Sequence, residues 1–126
     1  MNFFQRRKLL KKINSLELTP VRVMDHEIRD DGGVSIRLPR FKNTVVANLF
    51  HLKSKADIIP IRLDRFGSYT WLFIDGSSNV AQICSSLMKK FPDELSSSDE
   101  TATRVTSFIA RLYQERYVTF RELDNK

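Results

Sequence analysis

Acid–base or nucleophilic chemistry could be written at only a few places along this chain, and each reads better as structure. His26 stands between Asp25 and Glu27 in a stretch that alternates like a strand, so it is expected at the surface rather than in a catalytic pair. His51 has no chemical partner near it in sequence. Cys84 would need its thiolate stabilised, but its neighbours Ile83, Leu87 and Met88 predict a buried, protonated thiol. Asp31-Gly32-Gly33 lacks the lysine and the spacing of a phosphate loop and reads as a turn. Carboxylates are scattered singly or in turns, and no Cys/His cluster exists. The expectation is therefore a non-enzyme with no catalytic residues, no metal and no cofactor.

Charge points the same way once it is located. The formal net charge is +6, but Arg6, Arg7, Lys8, Lys11 and Lys12 supply five of those charges with no acid among residues 1–12. The remaining 16 basic and 15 acidic residues nearly cancel, so the body lacks the broad cationic face that phosphate binding requires. A lone cysteine, no apolar run long enough for a membrane span and no signal-peptide pattern predict a reduced, cytoplasmic setting. At 126 residues one main domain is expected.

The elements that would position any site can be read in order. Residues 3–17 suit a basic amphipathic helix, with Leu9, Leu10, Ile13 and Leu16 on one side. The organisation expected is this segment, 1–18, followed by a domain over 19–126. Thr19-Pro20 ends the helix. Residues 21–28 alternate as one strand, Asp30-Asp31-Gly32-Gly33 is a hairpin turn, and residues 34–41 return with Val34, Ile36 and Leu38 on one face. Residues 43–53 read as a short helical insertion, within a 43–55 insert. A third strand, Asp57 to Leu63, is expected to bury Ile59, Ile61 and Leu63.

Three helices follow. Asp64 caps the first, and Phe66, Tyr69, Thr70, Phe73 and Ile74 line it before Gly76 stops it. Asn79 with Gln82 makes a capping box for the second, whose buried face is Val80, Ile83, Leu87 and Phe91. Ser97 with Glu100 makes another for the third, with a stripe of Ala102, Val105, Phe108, Ile109 and Leu112. Tyr117 to Phe120 could form a last short strand.

Residues 63–76, LDRFGSYTWLFIDG, with the capped helices after them, the TPVR segment and LPRFKN before them, resemble the PqqD family of pyrroloquinoline quinone synthesis chaperones. The resemblance spans roughly residues 19–120. It implies an α+β, winged-helix-like fold: a three-stranded antiparallel sheet packed on a three-helix bundle, here with the extra N-terminal amphipathic helix. It also implies a function, recognition of the leader of a ribosomally synthesised precursor peptide and its presentation to a modifying enzyme, often a radical SAM protein. The leader would add as a strand to the third-strand edge, at Ile58, Pro60 and Arg62, and rest against the third helix at Arg104, Ser107, Phe108 and Arg111.

Two residues depart from the pattern. Pro60 has no N–H to offer a docking strand, which marks an open edge and blunts unwanted pairing there. Tyr117 stands where relatives commonly carry glycine.

Two other classes stay open. A winged-helix DNA-binding protein should carry clustered basic residues on its recognition helix, whereas Asp99, Glu100, Arg104, Arg111, Glu115 and Arg116 sum to about zero. A non-catalytic scaffold or homodimerisation module is the third reading.

Overall fold

The hairpin turn shows how tightly local chemistry directs this chain. In the computed structural model, which describes residues 15–39 and 58–124, the Arg29 amide donates to Gly33 O at 2.7 Å and the Gly32 amide to Arg29 O at 2.9 Å. Asp31 Oδ1 accepts from the Gly33 amide at 2.8 Å. Gly32 takes φ +86°, which its missing Cβ permits. The turn joins β2 (Asp25–Ile28) to β3 (Val34–Pro39), and β4 (Ile58–Arg62) pairs on the other side of β3, giving an antiparallel sheet of order β2-β3-β4. The fold is α+β, as expected. The expected insertion at 43–53 and most of the amphipathic helix at 3–17 lie outside the described residues; Ser15–Glu17 form a single 3-10 turn.

The chain divides into two compact units. One comprises residues 24–68 and the other residues 1–23 with 69–126, so the boundaries fall just before β2 and inside the first helix, α1 (Arg65–Phe73). In the first unit Val34 and Ile36 are fully buried. Asp64 caps α1 as its position predicts: Oδ1 accepts from the Gly67 amide at 2.7 Å. Ser68 Oγ accepts from the Val34 amide at 2.8 Å and donates to Leu63 O at 3.3 Å, tying the helix start to the ends of β3 and β4. The expected inward face of the third strand is only partly realised. Leu63 is buried and Ile61 half-buried, but Ile59 is 41% exposed. Its cross-strand partner Leu38 is also only half-buried, so cover is lost progressively toward that end of the sheet.

The second unit holds β1 (Pro20–Arg22), α2 (Val80–Lys90), α3 (Ser98–Gln114), β5 (Val118–Phe120) and the short α4 (Arg121–Asp124). The single strand expected over residues 21–28 is in fact two. β1 pairs antiparallel with β5, with Val21 opposite Thr119, whereas β2 pairs with β3. Alternation specifies extended backbone but not its partner, and here the partner changes at Val23-Met24. The capping box of α2 is complete, with Gln82 N to Asn79 Oδ1 and Asn79 N to Gln82 Oε1 both at 2.8 Å. For α3 only one half forms, Glu100 N to Ser97 Oγ at 3.3 Å.

The buried stripe of α3 is Thr101, Val105, Ile109, Leu112 and Tyr113: Val105, Ile109 and Leu112 are buried as expected, whereas Ala102 and Phe108 are only half-buried. Thr101 tolerates burial because its hydroxyl donates to Ser97 O at 2.8 Å. Gly76, expected at the helix stop, lies beyond it. α1 ends at Phe73, and Gly76 (φ +81°) belongs to a turn in which Asp75 Oδ1 accepts from the Ser77 and Ser78 amides at 2.8 and 2.7 Å.

Two predictions arise from this unit. α3 ends in a Schellman motif: Tyr117 N donates to Leu112 O at 2.8 Å and Arg116 N to Tyr113 O at 3.0 Å. The left-handed residue is Arg116, φ 65°, one position before the residue where glycine was expected. Arg116→Gly removes the Cβ penalty and is expected to stabilise the protein by about 0.5–1 kcal/mol, read as a higher urea midpoint with unchanged slope.

The second concerns Glu122, whose Oε1 accepts from the Thr19 amide at 2.7 Å, joining the start of β1 to α4. Burial pushes this carboxyl up, and the bonds from Thr19 outweigh it, so it titrates below the ordinary 4.5. A depressed folded value means the contribution is full above the ordinary value and is lost as pH falls through the folded one. Glu122→Gln is therefore expected to flatten the acid limb of a stability–pH curve measured from neutral pH downward.

Candidate functional site

β4 is the strand whose free side matters. Among the described strands it pairs with β3 alone. Antiparallel ladders alternate hydrogen-bonded and non-bonded pairs. Leu63 N donates to Val34 O at 2.9 Å, which makes Leu63 and Val34 a bonded pair. Stepping back along the register, Ile61 with Ile36 and Ile59 with Leu38 also turn toward β3. The main-chain groups of Ile58, Pro60 and Arg62 therefore turn away from it, toward the free side. They offer three carbonyls but only two N–H groups, because the proline falls at an outward position. That is where its missing donor costs β3 nothing.

The surroundings of that edge are polar. Across one face of the sheet Glu27, Ser35 and Arg62 form a cross-strand row, and Asp25, Arg37 and Pro60 form the next. An open depression of about 530 Å³ is lined by Glu27, Arg29, Asp31, Ser35, Pro60 and Arg62 among others. Arg62 keeps 69% of its side chain exposed and touches Asp31 only loosely, Nη2 to Oδ2 at 3.9 Å. Asp31 titrates below its ordinary value, chiefly through the Gly33 amide bond; slight burial opposes this, and Arg29 and Arg62 reinforce it.

Arg29 is the residue that sequence reading missed here. Its guanidinium donates to Val34 O at 2.5 Å, to Leu63 O at 2.9 Å and to Ser35 Oγ at 3.2 Å, and pairs with Asp31 Oδ1 at 3.2 Å. It joins the turn, the start of β3 and the end of β4. Gly33 makes this fold-back possible, since a Cβ there would lie 2.8 Å from Arg29 Cζ.

The helix residues predicted for the site lie in the other unit. Arg104, Ser107 and Arg111 are exposed and Phe108 half-exposed, and their spacing puts them on one face of α3, beside the buried stripe rather than in it. Tyr117 lies just beyond the helix. Burial pushes its phenol up, Glu115 adds to this and Arg111 opposes it. So Ile58, Pro60 and Arg62 share the free side of one strand, and Arg104, Ser107, Phe108 and Arg111 share one helix face, in separate units.

Of the residues with potential chemistry, His51 lies outside the described residues. Cys84 is 8% exposed and burial raises its pKa, which keeps the thiol protonated. His26 is half-buried in β2 opposite Ile36. Among the described residues no group of three or more His, Cys, Asp or Glu could hold a metal ion, and no helix is long and apolar enough to cross a membrane.

An antiparallel sheet whose β4 edge carries an outward proline, leading into capped helices, makes up a small α+β module. Residues 57–118 match the family model described as coenzyme PQQ synthesis protein D (PqqD), so this stretch of the chain is PqqD-like. The match runs from β4 through α1, α2 and α3 to the first residue of β5, and leaves out β1 and the β2–β3 hairpin. No curated protein and no solved structure matches the chain.

Proposed function

We propose that this chain recognises a ribosomally made precursor peptide, taking an extended segment of its leader as an added strand on the free side of β4. It would present that peptide to a modifying enzyme such as a radical SAM protein. The observation that supports this best is the outward row of main-chain groups at Ile58, Pro60 and Arg62, inside the PqqD-like segment. Strand addition draws affinity from such groups and specificity from side chains that flank them. On this reading Arg62 flanks the docked strand, and Arg104, Ser107, Phe108 and Arg111 supply side-chain contacts to the leader. The winged-helix-like architecture, a sheet packed on a three-helix bundle, belongs to the same reading.

The test is a titration with the leader of a precursor peptide encoded beside this chain's gene, run in parallel with duplex DNA. Arg62→Ala removes the side chain alone, whereas Arg62→Pro also removes an outward N–H that β3 does not use. The proline variant is expected to bind about 2- to 13-fold more weakly than the alanine variant, the worth of one hydrogen bond at a net ~0.5–1.5 kcal/mol. Equal affinities for the two variants would count against strand addition. Salt-sensitive DNA binding with no leader binding would replace this function with the winged-helix DNA-binding one.

A further inference from the structure

We infer that Pro60 makes the free side of β4 selective for a strand from a different chain and against a second copy of this one. The inference rests on the strand-addition reading above. β4 is otherwise a liability. Ile58, Ile59 and Ile61 are β-branched, Ile59 is 41% exposed, and among the described strands nothing pairs with the outer side. A foreign strand with no proline in register meets the gap at Pro60 once and loses one N–H···O bond.

A second copy, related by a two-fold axis, would lay its own β4 antiparallel on this one. Outward residues must then face outward residues, so Pro60 can meet only Ile58, Pro60 or Arg62 of the copy. Symmetry counts the gap twice in each case. With full overlap the two prolines face each other and neither donates. Shifted by one pair, each proline faces Ile58 or Arg62 of the opposite chain, and two donors are again missing. Registers that avoid Pro60 either set Arg62 against the copy's Arg62, two like charges directly opposite, or leave one Ile58 pair as the entire contact. The same residue thus weakens self-pairing by the square of what it costs a foreign strand, a discrimination built from a missing atom.

The experiment needs no peptide. Sedimentation equilibrium compares the full-length chain with Pro60→Thr, which restores the outward N–H, and with Pro60→Thr combined with Arg62→Pro, which moves the gap two residues along. Wild type is expected to be monomeric. Pro60→Thr is expected to self-associate with a constant raised about 4- to 170-fold, the square of about 2- to 13-fold per bond, and the double variant is expected to return to the wild-type level. Pro60→Ala, with the same N–H and no β-branch, repeats the test should the threonine variant misfold by circular dichroism.

No gain in association for a folded Pro60 variant overturns the inference. So does association that Arg62→Pro leaves untouched, or a wild-type dimer that Arg62→Pro disperses. Leader binding that is sensitive to Arg62→Pro, without any gain in association, removes this inference and keeps the proposed function. The reverse pattern removes the proposed function and keeps the exclusion of a second copy.

Discussion

Trp71→Ala is expected to lower the stability of the protein by about 3–5 kcal/mol, the range for emptying a buried aromatic site. Trp71 is 0% exposed in α1, with the Arg22 guanidinium 6.0 Å from its ring centroid. Its neighbours along the helix extend the aromatic packing: Tyr69 and Phe73 lie 6.5 Å apart, and Tyr69 meets Phe91 edge-on at 5.1 Å. Small domains have only about 5–15 kcal/mol in total, so the variant should sit close to its unfolding threshold at room temperature. Trp71 is the sole tryptophan, so unfolding has to be followed by far-UV circular dichroism in urea rather than by fluorescence. A loss under about 1.5 kcal/mol, the usual ceiling for volume-conserving core changes, would show that the site is not packed as described.

Arg29→Met has the second largest expected effect, about 2–3 kcal/mol, and bears on the candidate site directly. Hydrogen bonds from a charged donor are worth about 1.5–3 kcal/mol each when buried. The full sum is not reached here, because Val34 O keeps the Leu63 amide and Leu63 O keeps the Ser68 hydroxyl. The side chain is also 16% exposed, so solvent can replace part of what is lost. Arg29→Lys should not rescue the protein, because an ammonium cannot reach both carbonyls and the Ser35 hydroxyl at once as the planar guanidinium does. Gly33→Ala should reproduce part of the loss by pushing the guanidinium out. Hydrogen exchange gives the local readout. The amides of Val34 and Leu63 should lose protection in Arg29→Met. Unchanged protection at both positions would show that the arginine is a passive surface group.

The Arg29 network explains why part of the site was hidden in the sequence. Ile58, Pro60 and Arg62 were candidates because the family resemblance pointed to the third-strand edge and alternation put these three on one face of it. Arg29 was not one of them. Its acceptors are distant in sequence, 34 residues away in the case of Leu63, and a guanidinium that folds back over a turn has no periodicity. Phe108 shows the opposite error. Its spacing suits the apolar stripe of α3, but a small rotation of the buried face to Thr101 and Tyr113 leaves it half-exposed beside Arg104 and Arg111. The phase of a helix is set by what packs on it, and one buried threonine that satisfies its own hydroxyl is enough to move an apolar stripe inferred from residue type.

What the sequence by itself determined is local. The Asp-Asp-Gly-Gly turn, the Asp64 cap and the Asn79–Gln82 box each close within three or four residues, where side-chain and main-chain atoms meet whatever the rest of the chain does. Tertiary structure decided the partners. It split residues 21–28 between β5 and β3, placed Arg116 rather than its neighbour in the left-handed position, and turned the imino nitrogen of Pro60 to the free side of β4. Each of these depends on register between segments far apart in the chain. A shift of one residue reverses which groups a strand turns outward, and no local propensity distinguishes the two.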